Sequence, residues 1–345
     1  MVVPNGSPYA ALEHHLKSLL PQDSKRSSLV SSVLPTLIDA IAAVSSTLQS
    51  SHHVALVGTA NAFGDDQLNI DVSAENIIRE ALARCPAIAV ASSEEDPIER
   101  PNATHKATAE PTQSAEGSSP SSAEQYTVAF DPLDGSSIIA PNWSVGTIVG
   151  IWDGTTALNQ DPATKQIAAV LGVYGPRTTA IIALRIPGLP PACFEVGIDP
   201  SGSVHQIIRS GICLADPPFK TRYFAPANLR SAAEDDRYLR LVQRLIVEKC
   251  TLRYCGGLVP DLVHALVQGH GLYVSPVTGS TRAKLRRLYE LCPVALVMEC
   301  VGGKAVDPAS GNGILERAVA DCDERGGLVC GNREEVEAAI ESLLG

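Results

Sequence analysis

The spacing of apolar residues changes along the chain and marks its elements. The Ser- and Leu-rich first 55 residues read as one or two helices, with the clearest helical period over positions 34 to 48. Residues 71 to 84 (DVSAENIIREALAR) predict a further helix, with Ile77, Ile78 and Leu82 on one stripe and acids near its start. The period then shortens. Val90 and its neighbours, then 127 to 130, 145 to 152, 167 to 174 and 179 to 184 are β-rich runs split by Gly, Asp and Pro, and predict strands. Past residue 230 the helical spacing returns, in Tyr238, Leu241, Val242, Leu245 and Ile246, and again in Leu285, Leu288 and Tyr289. A last helix runs from Glu334 to Leu344, with acids at its front and Asn332 as its predicted cap. No internal repeat is present. The mixture predicts an α/β (layered α+β) protein, an αβαβα sandwich with two sheets.

Length and composition narrow what such a sandwich can do. At roughly 150 residues per domain, 345 residues make two subdomains, 55–215 and 216–345, behind a helical segment 1–55. The stretch 99–125 has almost no large apolar side chain and is expected to be a mobile surface loop of the first subdomain. Apolar residues form 45% of the chain, enough for a real core, so wholesale disorder is excluded. A net charge of −11, from 38 acids against 27 Lys and Arg, excludes a nucleic-acid partner. A phosphorylated small molecule stays open, provided a local cluster or metal ions draw it in. Nine cysteines without C-x-x-C or Cys/His metal spacing read as thiols of a reducing cytosol. No apolar run nears ~18 residues, so no membrane partner is expected. The N-terminus lacks a signal-peptide pattern and carries Glu13 where transit peptides avoid acids, which makes the expected location cytoplasmic.

Candidate chemistry gathers in three acidic clusters. Glu94-Glu95-Asp96 follows the apolar run at 87 to 91, and Phe130-Asp131-Pro132-Leu133-Asp134-Gly135-Ser136-Ser137 follows the next strand. Glu290 stands near the end of a predicted helix that also holds Lys284 and Arg286. Asp131 and Asp134, with Pro132 fixing the backbone between them, can aim two carboxylates and one carbonyl at a common point. Hard oxygen ligands of this kind suit Mg²⁺ or Mn²⁺. If a helix starts at Gly135-Ser136-Ser137, its free N–H groups form an anion cradle beside the metal. Metal-assisted hydrolysis of a phosphate ester needs this combination. An acidic pair such as Glu94-Glu95 alone reads as well as a solvated strand end; the longer string is too specific for that.

Ser93-Glu94-Glu95-Asp96 followed by Phe130 to Ser137 resembles the fructose-1,6-bisphosphatase family, within the sugar-phosphatase, lithium-sensitive superfamily. The likeness extends through Gly64-Asp65-Asp66-Gln67 to Asp71, Tyr174-Gly175-Pro176-Arg177, Leu252-Arg253-Tyr254, Lys284 to Glu290 (KLRRLYE) and Gly302-Gly303, over roughly residues 55 to 345. Phe63 to Leu68, Ile138, Val145 to Trp152, Tyr174 to Thr179 and Pro226 to Arg230 are more similar to its sedoheptulose-1,7-bisphosphatase branch. The resemblance implies Mg²⁺-dependent removal of the 1-phosphate of a ketose bisphosphate by direct attack of water. Sedoheptulose 1,7-bisphosphate is the expected substrate, with fructose 1,6-bisphosphate, or both, as the alternative. Glu94, Glu95, Asp131, the Leu133 carbonyl, Asp134 and Glu290 would hold two or three Mg²⁺ ions per subunit, with Mn²⁺ able to substitute. Asp71 and Glu95 would position and deprotonate the water, and Asp65 would lie in a mobile loop closing over the metals. Gly135, Ser136 and Ser137 would hold the phosphate that is removed. Asn228, Tyr254 and Lys284 would grip the sugar and distal phosphate, and Arg253 would reach in from a neighbouring subunit of a homodimer or homotetramer. Arg286 and Arg230 read equally as substrate contacts or as solvated charges.

The departures from the family pattern carry their own expectations. Ser275 precedes Pro276, with Tyr273 two residues earlier, where fructose-specific members often carry Tyr; this alters the sugar pocket. Gln125 stands before Tyr126 where AMP-regulated members have Lys, and residues 56–60 hold no Cys, so neither AMP inhibition nor a thioredoxin switch is expected. An inositol- or nucleotide-phosphate phosphatase is the nearest other enzyme, but its late Trp-Asp-type motif is missing. A non-catalytic sugar-phosphate sensor would normally lose a metal carboxylate, and here all five are present.

Overall fold

In a computed structural model of the chain, residues 7–21, 25–60, 66–102, 124–202, 204–279 and 283–345 are described. Helices α1 (Ala10–Leu19), α2 (Leu34–Ser50) and α3 (Asn69–Ala83) form the first layer. Beneath them lies an eight-stranded sheet of β3 (Ile88–Ser93), β4 (Arg100–Pro101), β5 (Tyr126–Asp134), β6 (Val145–Asp153), β7 (Gln166–Tyr174), β8 (Thr178–Leu184), β9 (Ala192–Gly197) and β10 (Gln206–Arg209). Its order is β10-β9-β8-β7-β6-β5-β3-β4, antiparallel except for the pair β3–β5. Short strands β1 (Leu56–Ala60) and β2 (Asp66–Leu68) pair with each other ahead of α3.

The central strands are apolar runs because both of their faces are covered. Along β8, Ala180, Ile182 and Leu184 pack toward the first helices, while Ile181 and Ala183 point the other way. That second face meets a middle layer made of α7 (Leu258–Gln268) and α8 (Cys292–Cys300). Below it is a five-stranded sheet in the order β12-β11-β13-β17-β15: β11 Tyr223–Pro226, β12 Thr251–Leu252, β13 Leu272–Ser275, β15 Lys304–Val306 and β17 Leu328–Gly331. Helices α6 (Asp236–Val247) and α9 (Arg333–Leu344) close its outer face. Short helices α4 (Ser136–Ile139) and α5 (Pro162–Lys165) complete the set, and the layers run α-β-α-β-α.

Two local expectations change. Leu285 to Tyr289 do not lie on one helix: β14 (Leu285–Arg286) pairs with β16 (Arg325–Gly326), and Arg287–Leu291 form a π turn leading into α8. Glu290 therefore stands in the turn that opens a helical stretch, with Lys284 and Arg286 before it. Asn332 sits at the head of α9, but its side chain does not cap the helix. Its Oδ1 accepts the Gly271 N–H (2.9 Å) and its Nδ2 donates to the Ala215 carbonyl (2.9 Å), joining two loops instead. The stretch 99–125 is held at both described ends. Glu99 accepts the Ala157 N–H (2.6 Å), buried Asn102 donates to the Leu82 carbonyl (2.7 Å), and Glu124 accepts the Ser28 N–H (2.9 Å). Residues 103–123 lie outside the described residues. Finally, the helix Leu29–Ser50 is long and apolar enough to cross a membrane, but 67% of its apolar window is buried against the sheet, as befits a core helix.

Candidate active site

The acidic residues converge where β3 and β5 end side by side. Because β3 and β5 run parallel, their C-terminal ends deliver Glu94 and Asp131 to one edge, and the Glu94 N–H donates to the Phe130 carbonyl (3.0 Å). Asp131 folds its carboxylate back onto the Leu133 N–H (3.0 Å). Gly135 then takes a left-handed conformation (φ 94°), which lets the chain turn at once into α4. Asp71, in the first turn of α3, reaches back to the Leu68 N–H (3.0 Å). Its other oxygen lies 3.0 Å from Ser136 Oγ, which is also 3.1 Å from the Leu133 carbonyl. The first helical layer and the Gly135-Ser136 turn are thereby tied together.

The second half of the molecule contributes from below. Asp134 Oδ1 and Oδ2 accept the N–H groups of Leu258 (3.0 Å) and Val259 (2.6 Å), the first residues of α7. That helix has no side-chain cap of its own, and Gly257 precedes it, so a carboxylate from the other sheet serves instead. Glu290 accepts the Arg286 N–H (2.5 Å), and the Arg286 guanidinium pairs with the Glu94 carboxylate. Arg286 is 3% exposed, which rules out a solvated charge.

Burial dominates the electrostatics. It pushes Asp131 well above the usual carboxylate range, with Glu94, Glu290 and Asp134 adding repulsion. Glu290 is raised in the same way, by burial first and Glu94 second. Asp134 is pushed up to about 6 by burial, against the pull of its two amide partners. Asp71 also reaches about 6 through burial, opposed by Leu68 and Ser136 and helped by the charge of Glu95. Crowded buried carboxylates with one guanidinium among them carry surplus negative charge, and hard oxygen donors match Mg²⁺. The donor chemistry thus fits a metal. The spacing is looser: among the described residues, no three His, Cys, Asp or Glu side chains stand close enough to form a metal site.

Two domain models match the chain: the N-terminal domain of fructose-1-6-bisphosphatase over residues 13–195 and its C-terminal domain over 218–344. The chain belongs to the fructose-1,6-bisphosphatase family. Among its relatives, a chloroplastic sedoheptulose-1,7-bisphosphatase of Chlamydomonas reinhardtii is 36% identical over 84% of this chain and 67% of that protein. A class 1 fructose-1,6-bisphosphatase of Syntrophotalea carbinolica is 34% identical over 84% of this chain and 81% of its own length. A solved Toxoplasma gondii chain, provisionally assigned as a sedoheptulose-1,7 bisphosphatase, superposes with a TM-score of 0.81 at 29% identity, covering 97% of this chain and 98% of that one. Members of this family are phosphoric monoester hydrolases and depend on divalent metal.

The remaining family positions fall into two groups. Asn228, in a left-handed conformation at the head of a 3₁₀ turn, places its backbone against the Tyr254 hydroxyl, so these two are brought together. Arg253 is exposed, donates to the Leu252 carbonyl (2.8 Å) and lies 5.7 Å from the centre of the Tyr223 ring. Lys284, Arg230 and Ser137 are exposed, and Glu95 is half-buried near Asp71 and Glu75. Tyr273 is buried beneath the site in β13. Asp65 lies outside the described residues. Reasoning from sequence missed the amides of Leu258 and Val259. The Gly256-Gly257 pair just before an apolar helix was the available sign of a helix that needed an outside cap.

Proposed function

We propose that this family member hydrolyses the 1-phosphate of a ketose bisphosphate, with sedoheptulose 1,7-bisphosphate as its main substrate. One observation carries the reading: Asp71, Asp131, Asp134 and Glu290 are all buried around the Gly135-Ser136 turn, from three separate elements of both halves. Glu94, Glu95, Asp131, the Leu133 carbonyl, Asp134 and Glu290 would hold the Mg²⁺ ions. Bound there, the metal supplies charge neutralisation of the phosphate and of the leaving oxygen. Asp71, ionised above pH about 6, accepts the proton of the attacking water at Oδ1, the atom that faces Ser136. The turn at Gly135 and Ser136 orients the phosphate, while Asn228, Tyr254 and Lys284 hold the distal part of the sugar phosphate.

The seven-carbon preference rests on the relatives in the sedoheptulose branch and on Ser275 before Pro276, where a smaller side chain leaves room for a longer sugar. Fructose 1,6-bisphosphate is the second reading, favoured by the 34% identity to the class 1 enzyme. A pocket difference of one hydroxymethyl is worth only about 1–3 kcal/mol, so dual use is physically reasonable. We place Arg253 across a subunit interface, in a homodimer or homotetramer. The nine free thiols suit a reducing compartment such as the cytosol. The test is initial-rate phosphate release from both substrates, with Mg²⁺ and with chelator. Faster Mg²⁺-dependent release from the seven-carbon substrate is expected, and a Glu94→Gln variant should be nearly inactive. Full activity in chelator, or in that variant, would overturn the metal assignment.

A further inference from the structure

Helix α3 carries more than Asp71. Four and eight residues further along, on the same face, stand Glu75 and Arg79, which pair with each other. Both engage Ser93, the last residue of β3. The Ser93 hydroxyl donates to Glu75 Oε1 (2.8 Å) and accepts from Arg79 Nη2 (3.0 Å) and from the Asp96 N–H (3.0 Å). Its one donor and two acceptor sites are all used. The Ser93 N–H closes onto the Asp96 carbonyl (3.2 Å), and Arg79 Nη2 reaches the same carbonyl (3.3 Å). Glu94 and Glu95 are the two residues between these clamped ends. The Arg79 guanidinium also lies 5.7 Å from the centre of the Phe130 ring, one residue before Asp131.

We propose that Glu75 and Arg79 are positioning residues for the metal-binding carboxylates, fixing the Glu94-Glu95 turn against β5 through Ser93. This rests on the reading of Glu94 and Glu95 as metal ligands. A pair that merely anchored α3 to the sheet would have no need of both a hydroxyl and a carbonyl in the turn that bears those two residues. Ser93 is fully buried and Glu75 is 8% exposed, so each lost bond leaves a buried group without its partner. Partners that orient metal-holding side chains are typically worth roughly 10- to 100-fold in metal affinity or activity.

The experiment measures Mn²⁺ binding to the full chain by titration calorimetry, without substrate, alongside thermal unfolding and steady-state kinetics. Arg79→Met should weaken Mn²⁺ binding by about 10- to 100-fold and lower kcat more than it changes KM, with Arg79→Lys recovering part of both. Exposed Glu80→Gln, on the same helix, should match the wild type. If Arg79→Met does not fold, Glu75→Gln, which keeps an acceptor for Ser93, should still show the weaker binding. Wild-type affinity in a folded Arg79→Met or Glu75→Gln overturns this proposal alone. A wild type that binds no Mn²⁺ overturns the metal reading and this proposal with it.

Discussion

In the proposed reaction, proton transfer turns on Asp71. Its value of about 6 lies just below neutral, so it is ionised and able to accept a proton at pH 7 yet still basic enough to use. The rate should therefore rise as pH passes through about 6 and level off above it. Asp71→Asn should lower kcat by about 10²- to 10⁴-fold and remove that limb from the pH–rate profile, read from initial rates between pH 5 and 8.5. A limb that persists in the variant would assign it to another group. The position of Asp71 is legible through its family resemblance. Its proton affinity is not, because that depends on burial at the head of α3 and on a Ser136 hydroxyl 65 residues away. The same holds for Arg286: the motif shows a cation, and only the fold shows it buried on Glu94.

At the scale of elements, the contact between β6 and α7 decides whether Asp134 keeps its two amides. Gly146 on β6 faces Val259, and a Cβ at 146 would lie 2.4 Å from the Val259 Cβ. Gly146→Ala must push the head of α7 away from the sheet. It should cost about 1–3 kcal/mol as overpacking, read by urea unfolding, and should raise KM for Mg²⁺ through the displaced Asp134. Gly154→Ala, at an open left-handed position, offers the contrast: a Cβ there meets nothing within 4 Å, so stability falls while KM for Mg²⁺ stays put. The central strands β3 and β5 to β8 were legible because both faces demand apolar residues in an unbroken run, whereas the outer strands β4, β9 and β10 were not read. The turn holding Glu290 was not. Leu285, Leu288 and Tyr289 fit a helical period, yet β14 pairs with β16 across 40 residues, a contact that no local pattern reports.

For the whole molecule, the buried carboxylates set how stability depends on pH and on metal. Asp71 and Asp134 have folded values of about 6 against an ordinary 3.8. The folded state holds these protons more tightly, so their contribution is fully present below about 3.8 and is lost as pH rises through about 6. For Asp71 the shift of roughly two units corresponds to about 3 kcal/mol. Glu335 acts in the opposite sense: burial raises it, but His270 and Arg222 prevail and hold it at about 2, so its contribution is present above 4.5 and lost as pH falls through about 2. Metal-free protein should therefore be most stable in mild acid, with a melting temperature in chelator that falls between pH 5 and pH 8. In the proposed site Mg²⁺ binds the ionised carboxylates, so the gain in melting temperature it gives should be small at pH 5 and large at pH 8. Scanning calorimetry at both pH values, with chelator and with saturating Mg²⁺, checks this. An Mg²⁺ gain that is equal at the two pH values would mean that the metal binds without discharging these buried acids, and the charge surplus at the junction of the two sheets would then need another role.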